Sequence, residues 1–277
     1  MNQTDGYLTA CLSKLTNYTN ADLFTEIAMH ITSVKTEMEE RRFCLNEAAK
    51  HHVQLSESIE VIIGNRLENI AKQSGAHEAI KYFSGITIKE KELAIVWLGK
   101  KCISVNEVKD FFPELFDYMQ VQPMLTPNCM WLSSYIDEYK KAKLGNIYTD
   151  EIKTAISEHN ADSVAFDTWY QSLKTTRFLL AGRNDIDMYY WIDGLGVEWI
   201  PFIQAILAKH QQDNIYLNEV MVARALLPTT TEVNKIALQH LSDVDIQTMK
   251  VGDLDSMAHQ SSNRYLTVAR WLELGWF

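Results

Sequence analysis

The feature that most constrains this chain is a succession of helix-sized apolar stripes, each opened or closed by its own local signal. Asn20 and Asp22 head a long segment in which Leu23, Ile27, Ile31, Val34 and Met38 recur every three or four residues, the spacing that lines one face of an α-helix. Ser56 opens a second helix, with Ile59, Ile62, Ile63 and Ile70 expected inward and Gly75 expected to end it. Thr87 with Glu90, and Ser104 with Glu107, have the capping-box spacing, in which a hydroxyl and a carboxylate satisfy free amide donors reciprocally. Asn128 precedes CMWLSSYIDEYKKAKL, which Gly145 would terminate, and 150–159 and 163–180 read as further helices. Stripes of this kind must be buried on one another, so residues 1–182 are expected to form a mostly α-helical region.

Near Gly182 the texture changes. AGRND is a turn-rich connection, and IDMYYWI is a β-branched and aromatic run that suits a buried strand. A helix over 198–209, a strand over 216–226, a short helix after Thr231 and a last helix from about Ala258 are expected to follow. Strands alternating with helices predict an α/β unit with a parallel sheet over 183–277, too short to be complete.

Composition narrows the function classes. The longest apolar runs, LAIVWLG and FLLAG, are far short of the roughly 20 residues that cross a bilayer, and MNQTDGYLTA has no signal-peptide pattern, so a cytoplasmic protein with no membrane contact is expected. Cys11, Cys44, Cys102 and Cys129 form no Cys-x-x-Cys pair and read as reduced thiols. The net charge of −10 does not indicate direct nucleic-acid binding, which needs clustered Lys and Arg. The chain has no phosphate-loop, dinucleotide-binding, serine-elbow or His-Glu-x-x-His motif.

Three stretches could carry chemistry. In YYWIDGLGVEWI, Asp193 follows the expected strand at the end where open α/β sheets hold ligands, and Gly194 and Gly196 leave the backbone free to turn tightly. A carboxylate there can hold a divalent cation or cap the following helix. In ALLPTTTEVNK, Thr231 stands before a helix, where amide donors favour a bound phosphate; its hydroxyl is a candidate nucleophile or a plain N-cap, with Thr229 and Thr230 as rival nucleophiles. In GDLDSMAHQ, Asp255 and His259 stand four apart, a spacing at which both can ligate one metal.

An Asp after a strand, then Pro-Thr-x-Thr with an Asn further on, then Asp-x-x-x-His resembles the alkaline phosphatase superfamily. WIDGLGVEW together with LPTTTEVNK resembles its PglZ domain, and the helical part, with YIDEYKKAKLGN and FDTWYQSL, is similar to PglZ proteins of BREX phage-defence systems, the type-4 kind included. The motif resemblance covers residues 189–259. It implies an incomplete alkaline-phosphatase-like parallel sheet and a metal-dependent phosphatase or phosphodiesterase, acting on an unidentified phosphoester in anti-phage defence beside other defence-system proteins. Asp193 and Thr231 would bind one divalent metal (zinc, manganese or magnesium), Asp255 and His259 another, Thr231 would attack phosphorus, and Asn234 would donate to a phosphoryl oxygen.

The family pattern continues with a later Asp-His pair and commonly another His. After His259 this chain has neither residue type, and Glu273 is the only later carboxylate. The expectation is a chain that lacks the C-terminal part of the domain and half of the metal site. The alternative reading is a non-catalytic helical interaction or scaffold subunit of a defence complex, with a degenerate phosphatase lobe.

Overall fold

Helix after helix follows from the capping signals in the computed structural model, which describes residues 21–32, 34–50, 55–123, 130–181, 183, 185, 189–192, 196–230, 232–234 and 246–249. The helices are α1 (Ala21–Met29), α2 (Lys35–Lys50), α3 (Glu57–Ser74), α4 (Ala76–Ala79), α5 (Ile88–Gly99), α6 (Pro113–Tyr118), α7 (Met130–Gly145), α8 (Asp150–Ala161), α9 (Ser163–Ser172), α10 (Thr176–Leu180) and α11 (Ile200–Lys209). Two strands, β1 (Tyr189–Ile192) and β2 (Ile246–Met249), and four short 3₁₀ turns complete the regular structure among the described residues.

The chain divides into two compact units. The described residues up to Asp117, with Lys143–Asn146, form one, and Tyr118–Ala142 with the described residues from Ile147 onward form the other. The division falls near Tyr118.

In the first unit the core is aliphatic and aromatic: Ile27, Leu45, Ile63, Leu67, Phe83 and Phe112 are fully or almost fully buried. The expected single helix from residue 20 to 38 is two. After α1 the chain leaves the helix, Val34 donates its amide to the Thr32 hydroxyl at 3.2 Å, and Val34 is exposed, so the apolar stripe does not run through. In α3, Ile63 is buried but Ile62 points outward. Both capping boxes form. Thr87 Oγ1 accepts from the Glu90 amide at 3.1 Å at the head of α5, and Glu107 accepts from the Ser104 amide at 2.8 Å at the head of a 3₁₀ turn, Val105–Val108.

In the second unit, the segment expected as one helix over 163–180 is split. Leu173 is extended, and Thr175 caps α10 by accepting from the Phe178 amide at 3.3 Å. The helix expected over 198–209 is present as a 3₁₀ turn, Val197–Trp199, leading into α11, with Pro201 in the first turn where its missing N–H costs nothing.

The expected α/β parallel sheet is overturned. The described residues are mostly helical, and their sheet is one parallel pair of four-residue strands, with Tyr189 opposite Ile246 and Ile192 opposite Met249. The segment 216–226 is not a strand. Tyr216, Leu217, Val220 and Met221 are exposed, and the segment makes a single bridge, Arg224 with Thr175. β-propensity expresses a fit to a paired, half-buried surface, and this run has neither a ladder nor a buried face. No helix among the described residues is long and apolar enough to cross a membrane.

Candidate functional site

Asp193, Thr231, Asp255 and His259 lie outside the described residues, while Asn234 and the segments flanking Asp193 and Thr231 lie within them. β1 ends one residue before Asp193, and β2 ends six residues before Asp255. Because the two strands are parallel, with Ile192 opposite Met249, their carboxyl ends share one edge.

From Gly196 the chain enters a buried polar cluster. Gly196 has an ordinary φ of −85°, so the glycine is not needed for a tight bend; the Glu198 carboxylate occupies the place a Cβ would take. Glu198 and Trp199 are buried, and the Trp199 ring packs 4.5 Å from that of Tyr118. Gln122 Nε2 donates to the Val197 carbonyl at 3.0 Å. The Gln122 amide donates to Asp137 Oδ1 at 3.0 Å, and Lys140 Nζ reaches the same oxygen at 2.9 Å and the Gln120 carbonyl at 2.6 Å.

Burial pushes the Lys140 ammonium below its usual range, opposed by its hydrogen bond to Asp137. Burial, followed by the charge of Glu198, pushes the Tyr118 hydroxyl well up. Lys140 escapes sequence reasoning because its burial is a tertiary fact.

The second stretch is a closed loop. Asn234 Oδ1 accepts from the Leu226 amide at 2.7 Å, and its Nδ2 donates to the carbonyls of Leu226 at 3.2 Å and Thr230 at 3.0 Å. The carboxamide expected to face a phosphoryl oxygen therefore ties the two ends of the loop together. Thr230 caps the turn 232–234: its carbonyl accepts from the Asn234 amide at 3.2 Å and its hydroxyl lies 3.5 Å from the Val233 amide. Thr229 and Thr230 are exposed.

No cluster of three or more His, Cys, Asp and Glu able to hold a metal occurs among the described residues. The expected donors, two carboxylates, one imidazole and a hydroxyl, suit zinc, manganese or magnesium by their chemistry. The chain matches no protein-family model, no curated protein and no solved structure.

Proposed function

We propose that this chain is a cytoplasmic, metal-dependent phosphoester hydrolase of the PglZ type, or a part of one, working with other proteins of an anti-phage defence system. The observation that carries the reading is the parallel register of β1 and β2, which sets the strand ends from which Asp193 and Asp255 follow along one edge.

When bound, a divalent cation supplies positive charge beside the phosphoryl oxygens. The work of the chain's own residues is then simple. Asp193, Asp255 and His259 supply the donors. The Thr231 hydroxyl forms a bond to phosphorus as the bond to the leaving group breaks, its proton passes to solvent, and water later hydrolyses the threonyl phosphoester. The excess of twelve Asp and Glu over six Lys and Arg in 184–277 accords with anion binding that needs a cation in between.

Calorimetric titration with Mn²⁺ and Zn²⁺ tests this reading. The expected result is binding that Asp193→Ala and His259→Ala each abolish; a folded wild-type chain that binds neither ion would overturn it.

A second reading, a non-catalytic helical interaction subunit, is favoured by α9, which buries none of its residues and leaves Val164 75% exposed. Hydrolysis by the isolated chain at a rate unaffected by other defence-system proteins would count against it.

A further inference from the structure

The loop that carries the threonines is held at its base as well as closed at its neck. Tyr170, on α9, donates its hydroxyl to the Ala225 carbonyl at 3.1 Å. Arg224 Nε donates to the Leu173 carbonyl at 3.0 Å, and the Arg224 amide donates to the Lys174 carbonyl at 3.0 Å. The guanidinium carbon lies 5.9 Å from the Tyr170 ring centroid, within reach of a cation–π contact. Asn234 then closes the loop from the other side through Leu226 and Thr230.

Beyond these bonds the loop has little to fix it among the described residues. Leu227 is 74% exposed, and Pro228, Thr229 and Thr230 are exposed as well. A hydroxyl that must approach phosphorus along one line cannot depend on an unanchored backbone, because a displacement of about 1 Å can cost up to about a hundredfold in rate. The segment 173–175, the break between α9 and α10, is shaped to receive this strap: Thr175 pairs with Arg224, and Leu173 is extended with its carbonyl taking the guanidinium.

We infer that Tyr170 and Arg224 are positioning residues that anchor the Ala225–Thr230 backbone and thereby set the line of approach of the threonine nucleophile. The inference rests on the hydrolase reading given above. Neither residue touches the reacting atoms in this scheme. Their effect is exerted through the loop.

The test uses the full chain with Mn²⁺ and bis(p-nitrophenyl) phosphate, comparing wild type with Tyr170→Phe and Arg224→Ala. Tyr170→Phe keeps the ring beside Arg224 and removes only the bond to Ala225. The expected result is a kcat lowered by about tenfold or more with KM little changed, the same direction for Arg224→Ala, and an unaltered unfolding midpoint for Tyr170→Phe. Hydrogen exchange at the amides of 225–230 should quicken in both variants while α8 and α11 keep their protection.

An active wild type with kcat and loop exchange unchanged in Tyr170→Phe would overturn the inference and leave the hydrolase reading standing. Faster exchange throughout the second unit, with a lowered midpoint, would assign Tyr170 a general structural role and overturn it too. A wild type that neither binds Mn²⁺ nor hydrolyses the diester would remove the hydrolase reading itself, and the inference with it.

Discussion

Two turns in this protein are held by polar side chains that reach back to the backbone, and they differ in what surrounds them. At 83–87, Glu90 is fully buried and accepts from the amides of Ser84, Gly85 and Thr87, from the Ser84 hydroxyl and from Arg41, which is itself 2% exposed. At 225–230, Tyr170, Arg224 and Asn234 do comparable work while half-buried, and Leu227 to Thr230 are exposed. The first arrangement locks a core. The second holds a backbone in place and leaves Thr229 and Thr230 exposed.

The strongest way to break this comparison is to remove the buried carboxylate. Glu90→Ala leaves the Arg41 guanidinium buried without its counter-charge, although Ala28 and Tyr82 still accept from it at 2.8 and 2.9 Å. Removing one partner of a buried pair costs about 3–5 kcal/mol, and urea unfolding should show a loss of that order. A loss below about 1 kcal/mol, the size typical of an exposed pair, would erase the contrast between the turns.

Asn234→Ala probes the other turn. The Leu226 amide and carbonyl are part-exposed and can turn to water, so the expected loss is about 0.5–1.5 kcal/mol, measured in the same way. Equal losses in the two variants would mean that burial is not what separates the turns.

The smallest effect is expected at Glu60, beside the first turn. Burial raises its carboxyl above the ordinary value; hydrogen bonds from the Ile88 and Lys89 backbone oppose this, and the charge of Glu90 adds to it. The folded state therefore holds the proton more tightly than the unfolded one. The resulting stability is present below the ordinary carboxylate range and is lost as pH rises through the raised folded value. Glu60→Gln should flatten the dependence of stability on pH in that window. A slope the same as in wild type would show that Glu60 is not its source.

Sequence by itself determined the elements whose causes are local. Thr87 with Glu90 marks a helix start because the hydroxyl, the carboxylate and the amides they satisfy lie within one turn. IDMYYWI is legible as a strand and 198–209 as a helix for similar reasons, and Tyr189–Ile192 and Ile200–Lys209 are so formed. The motifs around Asp193, Thr231, Asp255 and His259 are also legible as residue types at given spacings.

Tertiary structure decided whatever depends on a distant partner. β1 pairs with β2, which lies more than fifty residues along the chain and has no strand signature of its own, while the more strand-like 216–226 finds no ladder. Lys140 sits among lysines in sequence yet is buried against Gln120 and Asp137. The resemblance implies a phosphoryl donor at Asn234, and in the fold its side-chain amide bonds the carbonyls of Leu226 and Thr230. Hydrogen bonds and burial are satisfied in three dimensions, so a side chain's residue type states what it can do, and only its neighbours in the fold decide which of those things it does.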